Sequence, residues 1–379
     1  MLVGNRGKYF AMIAGIFFAS LIITQQLSIF IGLMSRTIGF ITDTGQPDLW
    51  VMDSKVQFVD DTKPLQDTRL LQVRGVAGVA WAVPLYKGLL KARMSNGTFQ
   101  NCNTIGLDDA SLIGGPPVML SGKLSDLRLA DSVIVDEAGA NGKLAKMGNS
   151  PKDPRIPLKV GDTLELNDNR AVVVGIARVT RTFQSQPVVY TTYTRATRFA
   201  PRERKQLSFV LVKAQPGVDP IALSKKISSS TGLAAYTSDE FKSITISYFL
   251  KNTGIPINFG IAVALGFIVG TAIAGQTFYG FTLDNIRYLG ILKAMGASNQ
   301  LLFLMMALQT SLVGFIGCGM GVGVASLTGI LAKNSELAFK IPWQLLFITG
   351  SAVMLICILS TLFSIRRVIK LEPGIVFRS

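Results

Sequence analysis

Four long stretches of this chain contain no charged side chain. They lie between Lys8 and Arg36, Lys251 and Asp284, Lys293 and Lys333, and Lys340 and Arg366, and run for 27, 32, 39 and 25 residues. A helix needs about 20 apolar residues to cross a bilayer, so each stretch supplies one span. We place the spans at Phe10–Leu33, Ile257–Tyr279, Leu301–Leu331 and Pro342–Ile365. The other 256 of 379 residues hold all 61 charged side chains, about 24%, which is the density of a soluble domain. The fold class expected is therefore a membrane α-helical protein with four transmembrane helices and one large water-exposed domain between helices 1 and 2. The first apolar run is too long for the core of a cleaved signal peptide, and no A-x-A-like site follows it.

Composition removes several chemistries. With no histidine, a Ser-His-Asp triad, a Cys-His pair and a His-based metal site are all out of reach. The three cysteines, Cys102, Cys318 and Cys357, form no CxxC, which argues against structural zinc and thiol redox chemistry. No GxxxxGK[ST] occurs, so this sequence has no nucleotide-binding P-loop. No catalytic, cofactor-binding or metal residue is assigned. No span carries Asp, Glu, Lys or Arg near its middle, which disfavours a proton relay or an ion-coupled carrier.

Charge placement orients the spans. One side of the membrane receives both termini and the loop joining spans two and three. It carries Arg6, Lys8, Arg287, Lys293, Arg366, Arg367, Lys370 and Arg378 against Asp284 and Glu372. The excess of positive charge makes that side cytoplasmic. This gives three regions: 1–35 with span one, an extracytoplasmic domain at 36–251, and 252–379 with spans two to four.

The 36–251 region reads as α+β. Strands are expected at Leu49–Met52, Ser132–Val135, Thr163–Leu166, Ala171–Ile176, Val188–Tyr193 and Leu207–Val212. Asn167-Asp168-Asn169 marks a hairpin turn. Helices fit Asp219–Ser229, with Asp219 as cap and Pro220 in the first turn, and Ser238–Leu250. Gly139–Pro157 reads as a surface loop. The basic run Arg195, Arg198, Arg202, Arg204 and Lys205 is either a solvated face or a patch for anionic lipid or a protein. Nucleic acid is not an expected partner, because this domain faces away from the cytoplasm.

Within the membrane, Gly266 and Gly270 of span two and Gly314, Gly317, Gly319, Gly321 and Gly323 of span three are expected to let helices approach closely. Gln25, Gln26 and Gln309 are candidates for hydrogen bonds between helices. The segment Asp284–Gln300, between spans two and three, is short and amphipathic, with Ile286, Leu289 and Leu292 at helical spacing. It is either a solvated connector or a helix that docks in a groove of a cytosolic protein.

Several short motifs resemble one family. Leu289-Gly290-Ile291-Leu292-Lys293-Ala294-Met295-Gly296-Ala297 is similar to the GxLxAxGA signature that follows the second span of FtsX/MacB-type ABC transporter permeases. Ser364-Ile365-Arg366-Arg367-Val368 with Glu372-Pro373 resembles that family's ending. Val160-Gly161-Asp162-Thr163-Leu164, Val172-Val173-Val174-Gly175-Ile176 and Pro216-Gly217-Val218-Asp219 resemble its periplasmic core domain. Asn252-Thr253-Gly254 leading into Gly266-Phe267-Ile268-Val269-Gly270, together with the Lys293–Gly296 run, looks most like the DevC branch. The order of spans matches as well. Where the family commonly carries two acidic residues, this chain has Asn285 and Tyr288 at one place and Gln309 at the other.

The resemblance implies a non-catalytic permease in the bacterial inner membrane, with its large domain in the periplasm. ATP and Mg would be bound by a separate cytosolic ABC ATPase. The implied partners are that ATPase, a second copy of the chain, membrane lipids, and a periplasmic adaptor leading to an outer-membrane duct. The implied ATPase contact is Asp284, Arg287, Tyr288, Leu289, Leu292, Lys293, Ala294, Met295 and Gly296. Through it, ATP hydrolysis would move the external domain and drive export. Two alternatives use the same scaffold: a Lol-type lipoprotein-releasing permease, and an FtsX-like regulator of a cell-wall hydrolase.

Overall fold

The computed structural model describes residues 6–94, 97–146, 155–201, 206–332 and 335–369. Contacts divide the chain into a helical unit, Met1–Leu33 with Gly254–Ser379, and a sheet unit, Met34–Thr253.

The chain begins with helix α1 (Arg6–Thr37) and continues through α2 (Gly39–Asp43), β1 (Leu49–Met52), α3 (Asp67–Arg74), β2 (Val79–Arg93) and β3 (Phe99–Leu107). Then come β4 (Val118–Ser121), β5 (Ser132–Asp136), α4 (Glu137–Asn141), β6 (Thr163–Leu166), β7 (Asn169–Arg178) and β8 (Val188–Thr192). The sheet unit closes with α5 (Tyr193–Phe199), β9 (Phe209–Ala214), α6 (Pro220–Thr231), β10 (Ala234–Thr237) and α7 (Ser238–Asn252). Four helices follow: α8 (Ile255–Asp284), α9 (Ile286–Ala294), α10 (Asn299–Leu331) and α11 (Trp343–Ile369).

In the sheet unit, β2 belongs to two sheets. Its first half, through Leu85, pairs with β9 and completes an antiparallel sheet in the order β10-β1-β9-β2. From Tyr86 onward it pairs with β3, and at Ala92 and Arg93 with β6. Because β6 also pairs with β7, the strands β2-β3-β8-β5-β7-β6 close into a six-stranded ring. Closure removes the free strand edges that an open sheet would expose. The interior of the ring is filled by Tyr86, Leu90, Cys102, Val133, Val173 and Val189 among others, all at most 2% exposed. A second core joins the sheets around Trp50, Phe209 and Phe241, with ring centroids 5.6–5.9 Å apart.

Local chemistry explains several boundaries. Asn167 (φ +46°) and Asp168 (φ +61°) are both left-handed between the paired residues Leu166 and Asn169, the two-residue hairpin turn that matches strand twist. The Asp219 carboxylate accepts from the Ile221 and Ala222 amides at the start of α6, with Pro220 in the first turn. Thr237 and Glu240 cap α7 reciprocally.

The structure departs from the sequence expectation in four places. The strands β2, β3, β4 and β10 and the helices α3 and α5 were not anticipated. Strand β8 ends at Thr192, and Tyr193 opens α5. Part of the expected Gly139–Pro157 loop is helix α4, whose cap is Asp136; residues 147–154 of it lie outside the described residues. In the basic run, Arg195 is a structural staple, while residues 202–205 lie outside the described residues. The Arg195 guanidinium donates to the carbonyls of Leu127, Leu129 and Ser132 at 2.7–3.0 Å, and so ties α5 to the turn before β5.

Candidate functional site

Among the described residues, four helices are long and apolar enough to cross a membrane: Gly7–Thr37, Ile255–Asp284, Asn299–Leu331 and Trp343–Arg366. Where they meet, glycine decides how closely. A methyl at Gly266 would lie 2.9 Å from Ile22 Cγ2, and one at Gly270 would lie 2.3 Å from Ala19 Cβ. On the other side of α1, a methyl at Gly317 would come within 3.0 Å of Ile16, and one at Gly321 within 1.8 Å of Ser20 Oγ. Thus α8 and α10 each press an i, i+4 glycine pair against α1, the close approach that small residues permit in lipid.

Gly319 and Gly323 do not take part. A methyl at either would meet nothing within 4 Å among the described residues, so neither lies on a seam between helices of one chain. A step of two residues turns a helix by about 200°, which carries them to the far side from Gly317 and Gly321. Gly314 faces a different helix and packs on Cys357 Sγ of α11, at 2.5 Å from a built methyl.

Small hydroxyls supply most of the side-chain hydrogen bonds between the spans, and the Cys357 thiol adds one to the Thr310 carbonyl at 3.5 Å. Ser20 donates to the Gly317 carbonyl at 3.2 Å, Thr24 meets Thr349 at 3.2 Å, and Thr361 meets Thr310 at 3.2 Å. Gln25, Gln26 and Gln309, the expected candidates, make no such bond among the described residues.

At one end of the bundle Lys8 of α1 is ion-paired with Asp284, the last residue of α8. The nine-residue α9 begins two residues later. Its inward face is Leu289 (5% exposed) and Gly290, with Leu292 partly buried in the same core as Met306 and Ile365. Its outward face is Arg287, Tyr288 (59% exposed), Ile291 and Ala294, continued by Met295 (71%) just past the helix end. Lys293 donates to the Ile369 carbonyl at 2.8 Å, fastening α9 to the end of α11.

The turn after α9 is stopped chemically. Gly296 sits at φ +98°; its amide donates to the Lys293 carbonyl and that of Ala297 to the Leu292 carbonyl, the Schellman arrangement that favours glycine. Ser298 then caps α10, accepting from the Leu301 amide. Gly296 is therefore a turn residue.

Of the nine residues expected at a docking surface, the structure places Arg287, Tyr288, Ala294 and Met295 outward together. Leu289, Leu292 and Lys293 hold α9 to the helices around it, and Asp284 ties the end of α8 to α1. Sequence reasoning passed over Ile291, which completes the outward apolar stripe with Tyr288 and Met295. Their spacing of three and four residues was the available signal.

The comparisons with known proteins follow this architecture. Residues 9–230 match the MacB-like periplasmic core domain, and residues 260–373 match the FtsX-like permease C-terminal domain. A protein of Staphylococcus epidermidis named as a hemin transport system permease, HrtB, is 28% identical over 39% of this chain and 41% of its own length. The Methanocaldococcus jannaschii protein MJ1507, named as an uncharacterized ABC transporter permease, is 23% identical over 57% of each chain. The crystal structure of the periplasmic region of MacB from Actinobacillus actinomycetemcomitans aligns with 18% identity and a TM-score of 0.36, covering 56% of this chain and 96% of that one. The chain thus spans between two fifths and three fifths of the length of these curated relatives. It belongs to the FtsX/MacB family of ABC-type permeases, with a MacB-like periplasmic core domain followed by an FtsX-like set of membrane helices.

Proposed function

We propose that this chain is the membrane subunit of an ABC-type export complex, driven by a separate cytosolic ATPase that docks on the outward face of α9. The observation that carries this reading is the two-sided character of α9. Leu289 and Leu292 bury one side in the bundle core while Tyr288, Ile291 and Met295 leave an apolar stripe uncovered on the other. Burying a leucine stabilises by about 1.5–3 kcal/mol, so α9 is fixed firmly enough to pass a push to the spans instead of rolling. A nine-residue helix alone in water would not persist, and its uncovered side is the kind of stripe that a partner groove takes up.

The membrane helices support a mechanical role. They carry no Asp, Glu, Lys or Arg near mid-span, and glycine seams and small hydroxyls hold them together. The 379 residues contain no P-loop, so ATP and Mg belong to the partner. In this reading two copies of the chain assemble with two ATPases. Both termini and α9 face the cytoplasm, and ATP-driven closure moves α9, the spans and then the external domain. Substrate is taken up on the periplasmic side and passed to an adaptor and outer-membrane duct.

The test is Ile291→Asp on tagged full-length chain purified from membranes. The side chain is exposed, so the variant should remain monodisperse and as heat-stable as wild type while losing the co-purifying ATPase. Undiminished ATPase retention would remove α9 as the docking surface.

A further inference from the structure

Where β2 passes from the open sheet into the ring, a cavity of about 610 Å³ opens beside Tyr86, Lys87 and Gly88. That volume lies in the range of small-molecule sites. It has two unlike walls. One is aromatic: Phe58 from the segment after β1, Phe183 from the segment before β8, and Phe249 from α7. The Phe249 ring centroid is 5.5 Å from Phe58 and 4.9 Å from Phe183, so three separate parts of the chain build one apolar surface.

The other wall is polar and rich in hydrogen-bond donors: Lys63, Lys87, Asn103, Gln206 and Ser208, with Asp60 as its one carboxylate among the described residues. Lys63 is paired with Asp61 at 2.6 Å. Lys87 differs from an ordinary surface lysine. Its side chain is only 4% exposed and is ion-paired with Asp60, whose side chain is 40% exposed. Its ammonium lies 5.6 Å from the Phe40 ring centroid, and Ser208 holds its backbone at both amide and carbonyl. Asn103, 6% exposed, lines the same cavity, and its side-chain amide has no hydrogen-bond partner among the described residues.

A buried ion pair is poor evidence for stability, because an apolar pair of similar size usually serves as well. Here the arrangement is also asymmetric. The cation is fixed within the fold while its counter-ion stands at the solvent side, so another anion can take the place of Asp60 without moving Lys87. We propose that this cavity binds an amphipathic anion. Its carboxylate or phosphate head would pair with Lys87 in place of Asp60 and accept from Asn103, with its apolar body against Phe58, Phe183 and Phe249. Such a ligand would be the substrate or the signal read by the external domain. Its binding needs no ATPase, so the cavity and the α9 surface succeed or fail separately.

The experiment is isothermal titration of 2-naphthoate and of 2-naphthyl phosphate into full-length chain in nanodiscs. Empty nanodiscs and the uncharged 2-naphthamide serve as controls. At least one anion should bind, roughly tenfold or more tighter than the amide, as expected for a hydrogen bond to a charged group, and the tighter of the two identifies the head group. Lys87→Gln should weaken that binding by a similar factor, and Phe183→Ala should weaken it too. Asp60→Asn should strengthen it several-fold, because the competing carboxylate is gone. A merely structural pair would give both charge variants the same sign, and that result overturns the proposal. So would equal binding of naphthamide, or no binding of either anion. Asp60 is exposed, so Asp60→Asn keeps the test decisive if Lys87→Gln fails to fold.

Discussion

Gly321 offers a sharp test of the bundle, because the structure says both what a single methyl would hit and where the same methyl would hit nothing. In Gly321→Ala the new Cβ falls 1.8 Å from Ser20 Oγ, and that hydroxyl can rotate away. It also falls 2.8 Å from the Phe17 carbonyl oxygen and 2.8 Å from the Leu21 nitrogen, which are backbone and cannot. The α1–α10 seam must therefore widen. Overpacking of this kind costs about 1–3 kcal/mol. Turning Ser20 away also loses its bond to Gly317, worth about 0.6 kcal/mol on average between membrane helices. A loss of about 2–3 kcal/mol follows. Gly323→Ala, two residues along the same helix, meets open space and should cost nothing. Thermal unfolding in nanodiscs can be followed with a thiol-reactive fluorophore in a Cys102→Ser, Cys318→Ala background, where the buried Cys357 (1% exposed) is the one thiol left and reports opening of the bundle. Gly321→Ala should unfold at distinctly lower temperature and Gly323→Ala should match wild type. Equal stability of all three proteins would refute the glycine seam.

Other outcomes follow from single side chains. Leu289→Asp should destabilise the bundle in the same assay, whereas Met295→Asp, on the exposed stripe, should leave it unchanged. Arg195→Ala should lower the stability of the sheet unit by about 1–2 kcal/mol, because it leaves the part-buried Leu127 and Ser132 carbonyls without that donor, and should leave ATPase co-purification intact. Asp136 is 4% exposed and accepts from the Gly139 and Val188 amides at 3.0 and 2.8 Å, yet burial pushes its carboxyl up to about 6 from 3.8. Its folded value exceeds its unfolded one, so its stabilising contribution is complete below about pH 4 and is lost as pH rises through about 6. The stability difference between wild type and Asp136→Asn should therefore shift by about 2 kcal/mol toward the variant between pH 4 and pH 7, measured by denaturant titration at each pH. A pH-independent difference would contradict that reading of Asp136.

The membrane helices were legible because lipid allows so few exceptions: absence of charge over 25 or more residues locates a span with little regard to its neighbours. The Asn167-Asp168 turn and the Asp219-Pro220 helix start were legible because each is decided by the residues themselves. Strand β2 was not. Pro84 and Gly88 interrupt it, and only pairing with β9, β3 and β6 holds it extended, which is information from distant parts of the chain. Nothing in the sequence singles out Lys87 either, because its burial depends on the same distant pairings. In α9 the period showed that Leu289 and Leu292 share a side, but not which side the bundle would cover. The run of alternate glycines in α10 looked like one seam, although every second glycine turns away from α1.

The central claim is that the outward face of α9 meets an ATPase, and the most direct measurement is photocrosslinking in intact cells. A photoreactive phenylalanine analogue at position 288, exposed in the free chain, should capture a P-loop ATPase identified by mass spectrometry. The same analogue at position 289, turned into the bundle, should capture residues of this chain only. Capture at 289 and not at 288, or of no ATPase at either, would contradict the account.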